Sequence, residues 1–235
     1  MTGVRVFVAG SHTDVGKTFV ACGLIRAARA AGLSTDALKP IASGFDPADW
    51  ADSDPGRLLD ALDRPRSDEA LRHMTPWRFA APLAPPMAAR REGLTLPLAP
   101  VIELCAARLA ASQADLFVLE GVGGLMSPLA EAATGLDLMA ALGLPVVLVG
   151  GGYLGAISHT LTALEVLRAR GQAVAGVVVS QDPRGEAPDF AETAALIAAH
   201  AGATPVLRAP RSGPADWAGE ALALLIDPQR LSASA

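Results

Sequence analysis

The sequence predicts an α/β fold in which a mostly parallel sheet is covered by helices on both faces. Short apolar runs typical of buried strands alternate along the chain with longer segments of helical periodicity. The first run, residues 4–9, leads through a glycine-flanked loop into a helical segment. With 235 residues, of which 51% are hydrophobic, the chain can bury a large core as one domain, residues 1–235.

Composition and charge bear on the partners and on the cellular compartment of the protein. A formal charge of -5 without any basic run argues against nucleic acid as the main ligand, because a phosphate backbone is bound by clustered Lys and Arg. Cys22 and Cys105 each lie in a helical pattern without metal-ligand spacing, so we interpret both as core residues of a protein from a reducing compartment. The first strand has no separate apolar segment before it, which favours a cytoplasmic location.

Residues 138–164 carry no Asp, Glu, Lys or Arg, which is longer than the roughly 20 residues that a membrane helix needs. Pro145 and the glycine triplet 150–152 interrupt this stretch. Helix, strand, glycine turn and helix therefore describe it better than a membrane span.

The glycine-flanked loop, residues 10–18, has the composition of a phosphate-binding site. Its sequence is GSHTDVGKT, and it stands between a strand and a helix, where backbone N–H groups converge on a phosphate. Lys17 adds a positive charge, and the Thr18 hydroxyl is placed to bind the Mg²⁺ that accompanies ATP. Five residues separate Gly10 from Gly16 where the strict pattern has four, so we expect a differently bent loop. The residues expected to contact the nucleotide here are Thr13, Asp14, Val15, Gly16, Lys17, Thr18 and Phe19.

The next elements place a second lysine near this loop. After a helix over residues 19–31, a short strand at 35–38 ends at Lys39. In a doubly wound sheet the carboxyl edge of the strands binds ligands, so Lys39 is a candidate, although a solvated lysine is the alternative. Residues 41–44 read as a small-residue turn.

Acidic residues follow in a helical setting. Ser53 is a candidate N-cap for a helix that extends through residue 62, with Asp54 in its first turn. From the residues alone Asp49, Asp52 and Asp54 are equally eligible as metal ligands. Residues 75–86 hold four prolines and are expected to form a long structured loop.

A further acid ends the next buried strand. A helix over residues 101–113 precedes the apolar strand 116–119, which Glu120 follows directly. Glu120 is a candidate for a second Mg²⁺ ligand, and the following Gly121, Val122 and Gly123 allow the backbone to approach a ligand closely.

The rest of the chain continues the alternation of helices and strands. Helices are expected at residues 136–142, 155–170, 192–200 and 216–226, and strands at 146–149, 174–179 and 205–207, with frayed residues at the end. His159 lies within a helix, where a lone histidine is more often packed or exposed than catalytic. We find no internal repeat, and parallel strands imply right-handed crossovers.

Together the motifs resemble the dethiobiotin synthetase family. They are the loop 10–18, the sequence KPIASG at 39–44, Asp54, PWRF at 76–79 and EGVGG at 120–124. The resemblance runs from residue 4 to about residue 176 and includes the five-residue spacing in the phosphate loop. It implies a P-loop NTPase fold and a ligase that joins CO₂ to 7,8-diaminononanoate with ATP and Mg²⁺, closing the ureido ring of dethiobiotin through a carbamate and its phosphoric anhydride.

The resemblance also implies residue roles. Lys39 would hold the carbamate near the γ-phosphate, Ser43 would contact the diamine, and Lys17 would bridge the phosphates. Mg²⁺ would lie between Thr18, Asp54 and Glu120. Base contacts are expected after the strand 174–179, where the family has Asn and this chain has Ser180 and Gln181, and from Pro205, Val206 and Leu207.

The family is a homodimer, which implies that a second subunit completes the diamine site. Gly155, Ala156 and Ser158 match the segment that receives the substrate carboxylate at a helix N-terminus. The chain departs from the family at Ser158, where Asn is expected, and at Phe190, where Tyr is expected.

Two other P-loop proteins remain as alternatives. A partition or septum-type ATPase would carry a further lysine between Gly10 and Gly16, which this chain does not have. An amidoligase-type synthetase of cobyrinate synthesis would need a glutaminase domain, for which 235 residues are too few.

Overall fold

The computed structural model describes residues 3–183, 189–213 and 215–226. The strands are β1 (Val4–Gly10), β2 (Thr35–Leu38), β3 (Ile41–Ser43), β4 (Trp77–Phe79), β5 (Leu116–Glu120), β6 (Pro128–Ala130), β7 (Ala133–Thr134), β8 (Val146–Gly151), β9 (Val174–Ser180) and β10 (Val206–Ala209). The helices are α1 (Lys17–Ala30), α2 (Asp54–Ala61), α3 (Asp68–Met74), α4 (Pro85–Arg91), α5 (Leu98–Ala111), α6 (Gly135–Leu142), α7 (Ala156–Ala169), α8 (Phe190–His200) and α9 (Asp216–Ala223). The predicted frayed end lies outside the described residues.

The main sheet has the strand order β10-β9-β8-β1-β5-β2. Every pairing in it is parallel. Since all six strands run the same way, their carboxyl ends meet at one edge, and β1 lies near the middle of that edge. The predicted α/β class with a parallel sheet is confirmed.

Alternate residues of β1 supply both halves of the core. Val6 and Val8 pack with helices α1, α2 and α9 on one face of the sheet. Phe7 and Ala9 point to the other face, where α5, α6, α7 and α8 cover them. Strands buried on both faces must be apolar at every position, which is why they read as continuous hydrophobic runs in the sequence.

Helix α9 packs against helix α1. A Cβ atom at Gly23 of α1 would lie 2.4 Å from the indole of Trp217 in α9, so only glycine permits this approach. The same indole contacts the ring of Phe19, with 5.3 Å between ring centroids. Helix α9 thereby holds α1, the helix that follows the phosphate loop, in place.

The segment between β2 and α5 differs from the sequence prediction. Residues 75–86, predicted as a loop, contain β4 and the start of α4, and helix α3 was not predicted. Pro85 and Pro86 occupy the first turn of α4, where proline needs no amide hydrogen bond. The predicted turn after Lys39 is β3, which pairs with β4 in a small separate sheet.

The uncharged stretch 138–164 divides among the end of α6, strand β8, a glycine turn and the first part of α7, as predicted. No helix within the described ranges is long and apolar enough to cross a bilayer.

Candidate active site

The phosphate loop connects β1 to α1 at the centre of the carboxyl edge. The Ser11 amide donates to the Val149 carbonyl of β8 at 2.9 Å, and the Leu125 amide donates to the Gly10 carbonyl at 2.8 Å. Asp14 and Gly16 have φ of 58° and 97°, so the chain turns in the left-handed region just before the helix begins. This geometry directs the free amides of the first turn of α1 toward the loop.

Lys17 begins α1 and is 7% exposed. Its ammonium donates to the His12 carbonyl at 3.5 Å, a long contact that leaves donors for another partner. Burial, followed by the charge of Lys39, lowers the pKa of Lys17 to about 8. An anion in the loop would favour the charged form of this lysine.

Lys39, at the end of β2, forms a buried cluster with two acids. Its ammonium lies 2.7 Å from Glu120 Oε1 and 3.0 Å from Asp54 Oδ2. The Thr18 hydroxyl donates to the same Glu120 Oε1 at 2.6 Å. Lys39 and Glu120 are 81 positions apart in the chain, and they meet because β2 pairs directly with β5.

Electrostatics fix the charges of this cluster. Burial disfavours charge on Lys39, but Asp54 and Glu120 outweigh it and raise the pKa of Lys39. Burial likewise opposes charge on Asp54, yet Lys39 holds the pKa of Asp54 at about 2. Burial raises the pKa of Glu120 despite the attraction of Lys39. Lys39 is therefore a permanent cation at neutral pH.

The oxygen groups of this cluster fit a hard cation such as Mg²⁺. Glu120 Oε2 is buried and has no hydrogen-bond partner among the described residues, which leaves a carboxylate oxygen available to a ligand. Asp54 lies nearer solvent, with 46% of its side chain exposed. Across the described ranges no group of three His, Cys, Asp or Glu could hold a metal by itself. A cation here would need phosphate oxygens as further ligands.

Helix α2 positions Asp54 at its first residue. The Ser53 hydroxyl accepts from the Gly56 amide at 3.5 Å as N-cap. The residues alone left Asp49, Asp52 and Asp54 as equal candidates for a metal ligand. Of these three, only Asp54 contacts Lys39 in the structure, and the other two are exposed. N-capping thus decides which acid faces the phosphate loop.

The glycine segment after Glu120 lies against the phosphate loop. Gly121, Val122 and Gly123 line a narrow crevice together with Pro40 and Ile41, the two residues after Lys39. Ser43 lies at the end of β3, beyond this crevice, and in the described structure it makes no hydrogen bond to the Lys39 cluster. Thr13 is exposed at the outer side of the loop.

The N-terminus of α7 stands at the same edge, after β8. Gly155 has φ of 93° and caps the helix, Ala156 is buried, and Ser158 is exposed. The exposed His159 ring stacks on His12 of the phosphate loop at 5.4 Å, and its Nδ1 lies 2.7 Å from the Tyr153 hydroxyl. Sequence reasoning did not anticipate this contact, because nothing in the pattern placed α7 beside the loop.

At the ends of β9 and β10 the structure corrects one expectation. Pro205 precedes β10, and its carbonyl accepts from the Val177 amide in the interior of β9. Pro205, Val206 and Leu207 therefore lie toward the amino end of β10, away from the ligand edge. The edge is reached at Ala209, which pairs with Ser180. The predicted strand 205–207 ends two residues before β10 does, and Arg211 lies two residues beyond β10.

Ser180 and Gln181 do lie at the ligand edge. The Ser180 side chain is close enough to the phosphate loop that a Cβ at Gly16 would meet its hydroxyl at 2.4 Å. Gln181 Oε1 accepts from the Arg211 amide at 3.0 Å. The amide oxygen of Gln181 is therefore directed toward Arg211 instead of inward.

A phosphate loop at the centre of a parallel sheet, with lysine and carboxylates at neighbouring strand ends, defines a P-loop nucleoside triphosphatase. The MinC:MinD cell division protein complex of Aquifex aeolicus shares this fold, with a TM-score of 0.51 over 93% of this chain and 86% of that chain at 10% identity. A family model described as an AAA domain matches residues 4–211.

Sequence relatives identify the family. The chain is 59% identical to the ATP-dependent dethiobiotin synthetase BioD of Phenylobacterium zucineum, over 98% of this chain and 99% of that protein. It is 53% identical to the enzyme of the same name from Caulobacter vibrioides, over 94% and 98%. The chain belongs to the ATP-dependent dethiobiotin synthetase family, and the resemblance predicted from its motifs is confirmed.

Proposed function

We propose that this protein joins CO₂ to 7,8-diaminononanoate at the expense of ATP and closes the ureido ring of dethiobiotin. Family membership supports the reaction. The observation that carries it here is the buried Lys39, held between Glu120 and Asp54 beside the phosphate loop. Simple hydrolysis of a nucleotide needs the loop lysine, whereas joining two anions needs a second fixed cation.

ATP is the co-substrate, and its triphosphate would lie along residues 13–19. The amides from Thr13 to Thr18 would donate to phosphate oxygens, and Lys17 would bridge the outer phosphates. Phe19, in the first turn of α1, adds an amide near the inner phosphate. Burial and the charge of Lys39 lower the pKa of Lys17, and a bound triphosphate would favour its charged form.

Thr18, Asp54 and Glu120 would hold Mg²⁺ with the phosphates. When bound, the metal neutralises phosphate charge and polarises the transferred group. Glu120 offers its unpartnered Oε2, and the Thr18 hydroxyl is already oriented by its bond to Oε1. The set contains only oxygen atoms, as a hard cation requires.

The chemistry has three steps. One substrate amine attacks CO₂, a C–N bond forms as one C–O π bond opens, and the amine loses a proton to solvent to give the carbamate. A carbamate oxygen then attacks the γ-phosphorus, the bond to ADP breaks, and a carbamic-phosphoric anhydride forms. The second amine attacks the carbonyl carbon and loses a proton to solvent, phosphate leaves with the electrons of the C–O bond, and the ring closes. Lys39 would hold the carbamate against the γ-phosphate, offsetting the repulsion between two anions in the second step. Ser43 would contact the diamine.

The diamine site is proposed to be shared between the two subunits of a homodimer. Gly155, Ala156 and Ser158 would receive the substrate carboxylate at the N-terminus of α7. Leu154, just before them, is 89% exposed, and such an apolar side chain favours contact with another chain. The partners are thus small molecules and a second copy, without a nucleic acid or membrane partner. The free, buried thiols of Cys22 and Cys105 suit the reducing cytoplasm.

A single assay tests the proposal. The protein is incubated with ATP, Mg²⁺, bicarbonate and the diamine, and phosphate and dethiobiotin are both measured. We expect phosphate release that depends on the diamine, with one dethiobiotin formed per phosphate. Phosphate release at the same rate without diamine would favour a partition-type ATPase and would reject the ligase assignment.

A further inference from the structure

The strongest unassigned feature is Arg211, which lies two residues beyond β10. Because Ala209 pairs with Ser180 in parallel register, the chain reaches the ligand edge at this point. Helix α9 begins only at Asp216, so Arg211 belongs to a connection at the edge of the sheet. This position makes Arg211 a candidate ligand-binding residue, and its contacts support that role.

Two contacts hold the guanidinium in place, and a third holds the backbone of Arg211. It lies over the ring of Phe19, 4.1 Å from the centroid, which is a close cation–π arrangement. Its Nε donates to the Gln181 carbonyl at 3.0 Å, and the Arg211 amide donates to Gln181 Oε1 at 3.0 Å. A long side chain fixed in this way loses little further entropy when it binds a ligand.

The fixed guanidinium faces the phosphate loop. A Cβ at Gly16 would lie 2.8 Å from Arg211 Nη2 and 2.4 Å from Ser180 Oγ, so both groups meet at the start of α1. Ser180 is 1% exposed, and its hydroxyl has no partner within the described part of the chain. The hydrogen bond from Arg211 to the Gln181 carbonyl uses Nε, and the nearby charge of Asp182 also acts on the guanidinium. A buried hydroxyl and a fork of N–H donors thus converge on one place.

We propose that Arg211 reads the nucleotide base, with Ser180 beside it and Gln181 as the residue that positions it. The ligand acceptors that suit a guanidinium fork here are N7 of adenine, or N7 and O6 of guanine. The outer phosphates have their own cations, Lys17 and Lys39, near β1 and β2, on the other side of β8 from β9. This inference rests on the proposed nucleotide site and deepens it by naming how the base is recognised.

The experiment measures binding and turnover separately. Dissociation constants for ATP, GTP and tripolyphosphate are measured with Mg²⁺ and without diamine, followed by kcat at saturating ATP. Arg211→Ala should weaken ATP binding about tenfold and GTP binding more, because guanine offers two acceptors to the fork. Tripolyphosphate binding and kcat should stay within about twofold, because no phosphate contact is lost.

Matched variants make the result specific. Arg208→Ala removes an exposed arginine from β10 and should bind ATP as the wild type does. Arg211→Lys keeps the charge but not the fork and should restore little affinity. Gln181→Ala should weaken ATP binding in the wild type and have no further effect in the Arg211→Ala background, because Gln181 acts through Arg211.

Three results would overturn the inference. They are ATP affinity in Arg211→Ala within about twofold of wild type, an equal loss for tripolyphosphate, or full restoration by lysine. An equal loss for tripolyphosphate would mean that Arg211 binds phosphate. Full restoration by lysine would mean that only the positive charge of the side chain matters. These measurements need no diamine, so a failure of the ligase assay would reject the proposed function and leave the test of Arg211 intact.

Discussion

The phosphate end and the base end of the proposed nucleotide site lie at the same edge of the sheet, on different strands, and hold their side chains differently. At the phosphate end, Lys39 and Glu120 are almost fully buried and form a direct ion pair at 2.7 Å. At the base end, the Ser180 hydroxyl is buried and has no hydrogen-bond partner within the ranges that the structure describes. Arg211 is held there by neutral groups of Gln181 and an aromatic ring.

The difference follows from what each end has to do. Charge develops and moves where phosphate is transferred, so cations there must be in place before the reaction begins. The base does not react, and its binding needs only hydrogen bonds of the right pattern. We therefore expect substitutions at the phosphate end to reduce turnover and those at the base end to change affinity and nucleotide preference.

The largest effect is expected from Lys39→Ala. Losing a charge contact that acts mainly in the transition state costs about 2.7–4 kcal/mol, which is about a hundredfold to a thousandfold in kcat. ATP should still bind, because Lys17 and the loop amides remain. Single-turnover assays and equilibrium binding of ATP separate the two quantities. Near-normal turnover in the variant would remove Lys39 from the mechanism.

Glu120→Gln and Asp54→Asn should each lower kcat/KM about tenfold or more at moderate Mg²⁺, since an amide oxygen is a weaker ligand for a hard cation. Higher Mg²⁺ should recover part of the loss for the more exposed Asp54. Asp52→Asn serves as the control, because Asp52 is an exposed acid two residues before Asp54 and outside α2. A harmful Asp52→Asn beside a harmless Asp54→Asn would show that the metal lies elsewhere.

A smaller effect is expected in the pH dependence of ATP binding. The pKa of Lys17 is about 8 in the free protein, so above that pH the lysine is neutral until a triphosphate restores its charge. Binding at about pH 8.5 should therefore take up a proton, and Lys17→Met should abolish the uptake. Calorimetry in two buffers of different ionisation enthalpy measures it. Lys39 should contribute nothing, because its pKa is already raised.

The same lowered pKa affects stability with a definite sign. Between about pH 8 and 10.5 the unfolded chain binds the Lys17 proton and the folded chain does not. In this pH range Lys17 should make the free energy of unfolding of the nucleotide-free protein increase with pH. Lys17→Met should flatten this increase. Denaturant unfolding at several pH values gives the comparison. A rise of the same slope in the variant would assign it to other groups.

The smallest effect concerns base selectivity. With Ser180 in place of an amide side chain, and with Gln181 held by Arg211, we expect GTP to support turnover within about a hundredfold of ATP in kcat/KM. Each lost bidentate contact is worth about 1–3 kcal/mol of discrimination. A preference for ATP far beyond this limit would mean that another group reads the base.

The sequence predicted the phosphate end better than the base end for a physical reason. Strand β1, the loop and α1 are consecutive in the chain, so Gly16, Lys17 and Thr18 are placed by local rules. Lys39 and Glu120 each end an apolar strand, and parallel pairing brings such ends together. The base end depends on where β10 stops. The predicted strand ended at residue 207 instead of Ala209, so the connection that holds Arg211 was not among the predicted contacts.

Errors between β2 and α5 have another origin. Three-residue strands such as β3 and β4 are too short to show a period of two, and their pairing is decided by tertiary contact. Prolines in residues 75–86 suggested a loop, although Pro85 and Pro86 begin a helix. The stacking of His12 on His159 could not be predicted from the sequence either, because it depends on how α7 is oriented after β8.

The packing of α9 against α1 has a consequence for synthesis of the protein on the ribosome. Phe19 and Gly23 of α1 contact Trp217 of α9, and β10 pairs with β9 at one edge of the main sheet. Contacts between residues so distant in the chain form only after Trp217 has left the exit tunnel. Until then the nascent chain exposes the apolar side of α1 and the edge of β9. The nascent chain should therefore be a target for chaperones until α9 has emerged.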